Sequence, residues 1–187
     1  MLKKAIKPQA ICIVCLLLLF ASCSTLRSTS GGQKSSLPDT SRVPSLEEHE
    51  LTEVVVREVM LDPESMHPVV ILQDLSGNIA LPIWIGSNEA VAIATPLEQV
   101  SFRRPMTHDL LYTILGEVHV TVVKVVVSNL RENTYYAYLY LRHRRKTYAI
   151  DARPSDAIAL AVRAEAPIYV STELLNSMGI KRGGQQL

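Results

Sequence analysis

Laid over itself at an offset of 67 residues, the sequence repeats without a gap, residues 54–94 falling on residues 121–161. Val55, Val56 and Val59 meet Val122, Val123 and Val126, Leu72 meets Leu139, and Ala90, Ala92 and Ala94 meet Ala157, Ala159 and Ala161. Charged positions keep step as well, Arg57 with Lys124 and Glu89 with Asp156. A register shared across so long a stretch argues for two copies of one supersecondary unit. Each copy offers one apolar sheet face and one small apolar helix, too little to bury its own surface, so the two must share a core. The expected fold is α+β, a single domain from a duplicated strand-strand-strand-helix unit with pseudo-twofold symmetry.

The periodicities place the elements. Alternating and continuous runs rich in β-branched residues predict strands near 52–61, 68–75 and 79–85, then 118–128, 134–142, 146–151 and 168–170. Helices are predicted at 88–97, 108–115, 155–164 and 172–177, with Thr107 as N-cap and Gly116 as stop of the second. The alanines four apart, Ala90 with Ala94 and Ala157 with Ala161, permit close helix packing. Trp84 is expected in the core.

Ahead of this domain the chain changes character. Residues 1–22 read as a signal peptide: Lys3, Lys4 and Lys7 open it, an apolar run from Ala10 to Ala21 follows, and small residues end it. Twelve apolar residues cover roughly 18 Å of a hydrocarbon core about 30 Å thick, too little to span it. The end, Phe20-Ala21-Ser22-Cys23, resembles a bacterial lipobox, which implies cleavage before Cys23 and lipidation of that cysteine. The expectation is an exported lipoprotein anchored to a membrane of the bacterial cell envelope through Cys23. An ordinary cleaved signal or an uncleaved anchor is the alternative. Residues 23–50 carry Ser, Thr, Gly, Pro and charge with no apolar period, the composition of a lipidated, disordered tether. The domain is therefore 51–187.

All three cysteines, Cys12, Cys15 and Cys23, precede residue 51, so disulfides, cysteine-bound zinc and a thiolate nucleophile are excluded from the domain. The formal charge of +1 includes the three leader lysines, leaving 16 basic against 18 acidic side chains in the remainder. Nucleic-acid contact must then come from local clusters. The densest is Arg142-His-Arg-Arg-Lys146, with Arg142, Arg144, Arg145 and Lys146 at a predicted hairpin tip; Arg103 and Arg104 form a smaller one. Tyr138, Tyr140 and Tyr148 could stack on unpaired bases beside the first cluster if they share an exposed face. The alternative is a solubilising turn with tyrosines packed inside.

Phosphate-binding glycine loops, zinc-protease and nucleophile-elbow signatures and dinucleotide fingerprints are absent from the sequence. What stands instead is Leu81-Pro-Ile-Trp-Ile-Gly86 followed by Glu89-Ala90, then Arg104-Pro-Met-Thr-His-Asp-Leu110, then Asp151-Ala-Arg-Pro-Ser-Asp-Ala-Ile-Ala-Leu160. These three ordered blocks resemble the bifunctional nuclease domain family, over about residues 54–175. The resemblance implies a compact α+β domain of repeated units whose members cleave DNA and RNA. The leader departs from the family pattern.

Within the blocks, Asp151 closes a predicted strand, Asp156 opens the next helix and Arg153 lies between them. Carboxylates so placed could hold Mg²⁺ or Mn²⁺, and Arg153 could stabilise charge on a phosphate. The alternative is a helix cap at Ser155 or Asp156, with Arg153 paired to an acid. Asp109 could add a third metal ligand and His108 could transfer protons, or both could serve the helix start. Glu89 joins the set if both copies contribute to one site. The expected function is a nuclease that hydrolyses phosphodiester bonds of DNA or RNA with low sequence specificity, anchored to the envelope. A non-catalytic envelope binding module on the same fold is the alternative, and a homo-oligomer suits either.

Overall fold

The computed structural model describes residues 50–181. The signal peptide, Cys23 and most of the tether lie outside the described residues.

Eight strands form one mixed sheet in the order β6-β5-β4-β7-β1-β2-β3-β8. The first three, β1 (Leu51–Leu61), β2 (Pro68–Asp74) and β3 (Ile79–Trp84), make an antiparallel meander that leads into α1 (Ser87–Leu97). Helix α2 (Thr107–Glu117) connects to a second meander of β4 (Val120–Arg131), β5 (Thr134–His143) and β6 (Lys146–Ala152), which leads into α3 (Pro154–Ala164). Strand β7 (Ile168–Ser171), α4 (Thr172–Met178) and β8 (Ile180–Lys181) complete the chain. Helices α1 and α3 begin and end at positions 67 apart, as the offset predicts.

The two meanders lie on either side of β7, which pairs antiparallel with β1 and parallel with β4. It follows that β1 and β4 run in opposite directions. The insertion of β7 at the centre is a pairing between distant segments that local periodicity does not show, and β8, at two residues, is too short to leave a pattern.

One face of the sheet is covered. Inward-facing residues of both meanders, among them Val70, Leu72, Leu81, Val125, Val127 and Leu139, join Ala92, Ile93, Ile158, Leu160, Leu174 and Leu175 of the helices in one apolar core. Helices α1 and α3 pack on each other. Their contacting sides are small: Ala90 and Ala92 on α1 and Ala157, Ala159 and Ala161 on α3 are all buried. Helix α2 differs, having no fully buried residue, and Leu110, Leu111, Ile114 and Val118 stand exposed along it. Among the described residues no helix is long and apolar enough to cross a membrane.

Several local expectations are corrected. Met106, not Thr107, occupies the N-cap of α2, and the helix runs through Gly116 to Glu117 before His119 turns into the left-handed region at φ 56°. Arg153, rather than Ser155 or Asp156, is the N-cap residue of α3, and Pro154 begins the helix where no intrahelical N–H bond is lost. Trp84 is 54% exposed rather than in the core, and its indole N–H donates to Asp62 at 3.1 Å. It follows Ile83 on the strand, and since Ile83 points inward, Trp84 points out.

Ile93 is fully buried where α1 meets the core. Ile93→Ala should destabilise the domain by about 3 kcal/mol, the transfer loss plus an unfilled cavity. Chemical denaturation should show this as a lower midpoint with an unchanged slope.

Candidate active site

The first turns of α1 and α3 meet at one arginine. Arg153, at the end of the β6–α3 connection, donates from Nε to Asp156 Oδ2 at 2.7 Å and from Nη2 to Asp156 Oδ1 at 3.1 Å, a two-pronged contact. The same Nη2 lies 2.9 Å from Glu89 Oε1. Glu89 and Asp156 are the third residues of α1 and α3, where a carboxylate also favours the helix dipole. In the repeat register Gly86 stands where Arg153 stands in the second copy. A Cβ at position 86 would fall on the Glu89 carboxylate, so glycine there leaves room for Glu89 to reach across.

His108, in the first turn of α2, adds a third partner: its Nε2 is 3.1 Å from Asp156 Oδ1. An ionised carboxylate only accepts, so Nε2 carries the hydrogen and Nδ1 is left as the lone-pair nitrogen of the neutral ring. Burial pushes the Asp156 carboxyl up, but hydrogen bonds from Arg153 and His108, with the charge of Arg153, outweigh it and hold its pKa below the usual carboxylate range. Asp156 and then Glu89 in turn keep Arg153 firmly protonated.

Arg153 is 66% exposed and, with Glu89, lines a cleft of about 310 Å³. Ile85 and Gly86, Asn133 and Thr134 of the β4–β5 hairpin, and Ser155 line it as well. His108 and Asp156 connect to this cleft through Arg153. His108 is the more enclosed, with 13% of its side chain exposed against 33% for Asp156.

The other candidates are placed elsewhere. Asp109 completes the start of α2, its Oδ2 accepting from the Met106 N–H at 2.8 Å while its Oδ1 accepts from Arg163 Nε at 2.7 Å. Burial raises the Asp109 carboxyl, and the Met106 N–H and Arg163 more than compensate, so its pKa too is lowered. Asp151 pairs in register with Tyr138 and points, exposed, from the sheet face opposite the helices. Asp109, Asp151 and Asp156 therefore do not come together. Among the described residues no three His, Cys, Asp or Glu side chains are grouped to hold a metal ion. With Asp109 on Arg163 and Asp156 and Glu89 on Arg153, the donor set does not fit the Mg²⁺ or Mn²⁺ site expected from sequence.

The basic residues of the two predicted clusters are all exposed and lie in two places. Arg103 and Arg104 are on the α1–α2 connection, and Arg142, Arg144, Arg145 and Lys146 are at the β5–β6 hairpin. That hairpin is at the far end of β5 from the cleft, about 30 Å away at strand rise. Tyr148 does not share a face with Tyr138 and Tyr140: it pairs with Leu141 on the helix-covered side.

Arg163 is the residue that sequence reading missed. Only 5% of its side chain is exposed, and besides Asp109 its Nη1 donates to the carbonyls of Ala92 at 2.7 Å and Ala159 at 2.8 Å. Its one signal is an arginine on an otherwise small and apolar helix.

Together the fold and the cleft define an α+β domain that presents a carboxylate-held arginine and a histidine–aspartate pair at the junction of two meanders. The chain belongs to the bifunctional nuclease domain family, whose model matches residues 70–183. A protein of Mycobacterium tuberculosis described as uncharacterized is 37% identical over 128 residues, which covers 68% of this chain and 76% of that protein. Bifunctional nuclease 1 of Oryza sativa subsp. japonica is 24% identical over 123 residues, 64% of this chain and 37% of the rice protein. Bifunctional nuclease 1 of Arabidopsis thaliana is 29% identical over 119 residues, 62% of this chain and 37% of that protein.

Both carboxylates on the α2–α3 contact have pKa values below their unfolded ones, so the stability they contribute is present above about pH 4 and is lost as pH falls through the folded values. Thermal midpoints should drop steeply below about pH 4, and Asp109→Asn should flatten that drop. Arg163→Met should cost about 2–3 kcal/mol at neutral pH, because Asp109 and two helix carbonyls lose their donor while Asp109 keeps partial contact with water.

Proposed function

We propose that this chain is a nuclease that hydrolyses phosphodiester bonds of DNA or RNA with little dependence on sequence. The reading rests on family membership, and the observation that carries it is Arg153: a solvent-facing guanidinium held by two carboxylates at the mouth of a cleft. A phosphate entering the cleft would offer Arg153 a further anion in the fork geometry that guanidinium suits, and the arginine would gather charge that develops on the phosphoryl oxygens. His108, fixed by Asp156 with its hydrogen on Nε2, would take a proton at Nδ1 from the attacking water or hydroxyl. The resulting imidazolium would be stabilised by Asp156 and would return the proton to the leaving oxygen.

The cellular setting belongs to the same proposal. Lipidated Cys23 would tether the domain to the cell envelope, the acyl chains together supplying the anchoring that one alone gives weakly. Self-association would use the exposed apolar stripe of α2, Leu110, Leu111, Ile114 and Val118.

The purified full chain should cleave single-stranded DNA or RNA. His108→Ala should lower kcat by about 100-fold or more and Arg153→Ala by a similar factor, with Arg153→Lys restoring little because the fork is lost. Variants that fold and keep full activity would remove these roles, and a wild-type chain that binds nucleic acid without cutting it would leave a binding module. Mass spectrometry of the protein expressed in a bacterial host should find a mature N-terminus at Cys23 carrying acyl mass.

A further inference from the structure

The sheet face opposite the helices carries a row of aromatic residues that neither the core nor the cleft uses. On β5, Ala137 and Leu139 point into the core, so Tyr136, Tyr138, Tyr140 and Arg142 alternate onto the other face. Their neighbours on β4 are Lys124, opposite Tyr140, and Arg131, beyond the pair formed by Asn129 and Tyr136. Tyr169 of β7 lies across Val126 on the same face. The Lys124 Nζ stands between two rings, 5.2 Å from the centre of Tyr140 and 5.6 Å from that of Tyr169. The Arg131 guanidinium carbon is 6.0 Å from the centre of the Tyr136 ring. The buried helical residues Ala92, Ile93, Ile158, Leu174 and Leu175 all belong to the core on the other side of the sheet.

Positive charge predominates on this half of the face. Lys124, Arg131 and Arg142 stand against Asp151 within the β4–β6 meander, and Glu53 lies beyond Tyr169 on β1. Such a surface suits a polyanion that also presents flat apolar rings. Alternate residues along a strand are about 6.6–6.8 Å apart, about twice the 3.4 Å rise of a stacked nucleic-acid strand. A duplex buries its base faces and cannot use that spacing, whereas an unstacked single strand can lay bases on successive tyrosines. The row also has a direction. Tyr136 lies beside the hairpin whose Asn133 and Thr134 line the cleft, and Arg142 adjoins the basic tip of Arg144, Arg145 and Lys146.

We propose that the open face of β4, β5 and β7 is a binding platform for single-stranded nucleic acid, with bases stacking on Tyr136, Tyr138 and Tyr140 and phosphates meeting Lys124, Arg131 and Arg142. The strand then passes the β4–β5 hairpin toward Arg153. The platform names the form of substrate for the nuclease reading and rests on that reading for its purpose, while its binding can be measured without turnover.

The test uses the full chain carrying His108→Ala, so that a bound strand is not consumed, and fluorescein-labelled 12-nucleotide probes read by anisotropy. Single-stranded DNA or RNA should bind at least about tenfold more tightly than the duplex of the same length. Tyr138→Leu with Tyr140→Leu, which keeps an apolar surface, should weaken single-strand binding about tenfold or more. If that pair fails to fold, Lys124→Gln with Arg142→Gln answers instead, by weakening binding and reducing its salt dependence. Ultraviolet crosslinks should map to the β5 peptide. Equal affinity for single strand and duplex, folded variants that bind as the parent does, or crosslinks confined to the Arg103–Arg104 connection would each overturn the platform. So would a face that a protein partner covers and that no strand displaces. Cleavage by the wild type measured alongside separates the two ideas: cutting with no effect of the β5 variants defeats the platform alone, and binding without cutting defeats the nuclease reading alone.

Discussion

The placement of His108 beside Asp156 depends on a buried guanidinium that lies outside the cleft. Arg163 ties three helices at one point, donating to Asp109 of α2, to a carbonyl of α1 and to a carbonyl of its own α3. Helix α2 has no fully buried side chain, and Leu115 is its contribution to the margin of the core. Apolar burial alone therefore gives little reason for α2 to sit at one height and rotation along α3. A short, directional ion pair does. Once Asp109 is held, its neighbour His108 is carried to within hydrogen-bond reach of Asp156, and the histidine's tautomer follows from that contact. The desolvation of Arg163 is a real cost, offset here by a charged partner and two carbonyls.

The site lies where two helices with carboxylates at matching positions of the 67-residue register meet. Equivalent third-residue carboxylates, Glu89 and Asp156, start helices that pack on each other, so two like charges approach at the junction. Left alone they would repel. The copies differ one turn earlier, where the first has Gly86 and the second Arg153. The arginine neutralises both acids and the glycine gives Glu89 its path. Two arginines would crowd the junction and two glycines would leave the carboxylates opposed; the unequal pair is what makes an exposed cation at the cleft.

Much of this could be read from the chain, and the parts that could not have physical reasons. The two meanders and their helices appear in the periodicity because each strand alternates against a single covered face. The same parity would have turned Trp84 outward, since Leu81 and Ile83 face the core, and would have separated Asp151 from Asp156, since Ile150 faces the core beside it. Reading residue type without parity led to both errors. Arg163 is a different case, because its partner Asp109 is 54 residues away and its one local signal, an arginine on a small and apolar helix, does not point to that partner. The entry of β7 between β1 and β4 is likewise a choice made by the whole sheet.

The sheet also links the cleft to the face proposed to bind a strand. Strand β5 begins at the hairpin that walls the cleft and ends at the basic tip, so one element spans both. Its covered face gives Tyr135, Ala137, Leu139 and Leu141 to the core, and the open positions alternate with them. A strand whose open face had no further task would be expected to carry short polar side chains there. Instead β5 places tyrosine at three successive open positions, with cations from β4 seated at the rings. Aromatic rings left uncovered by helices lose part of the hydrophobic gain that burial would provide, and the cations placed against them recover some of it. Part of that choice is packing, since Val126, in register between Tyr138 and Tyr169, is fully buried on this face; under the platform proposed above, the rest serves a strand laid along it.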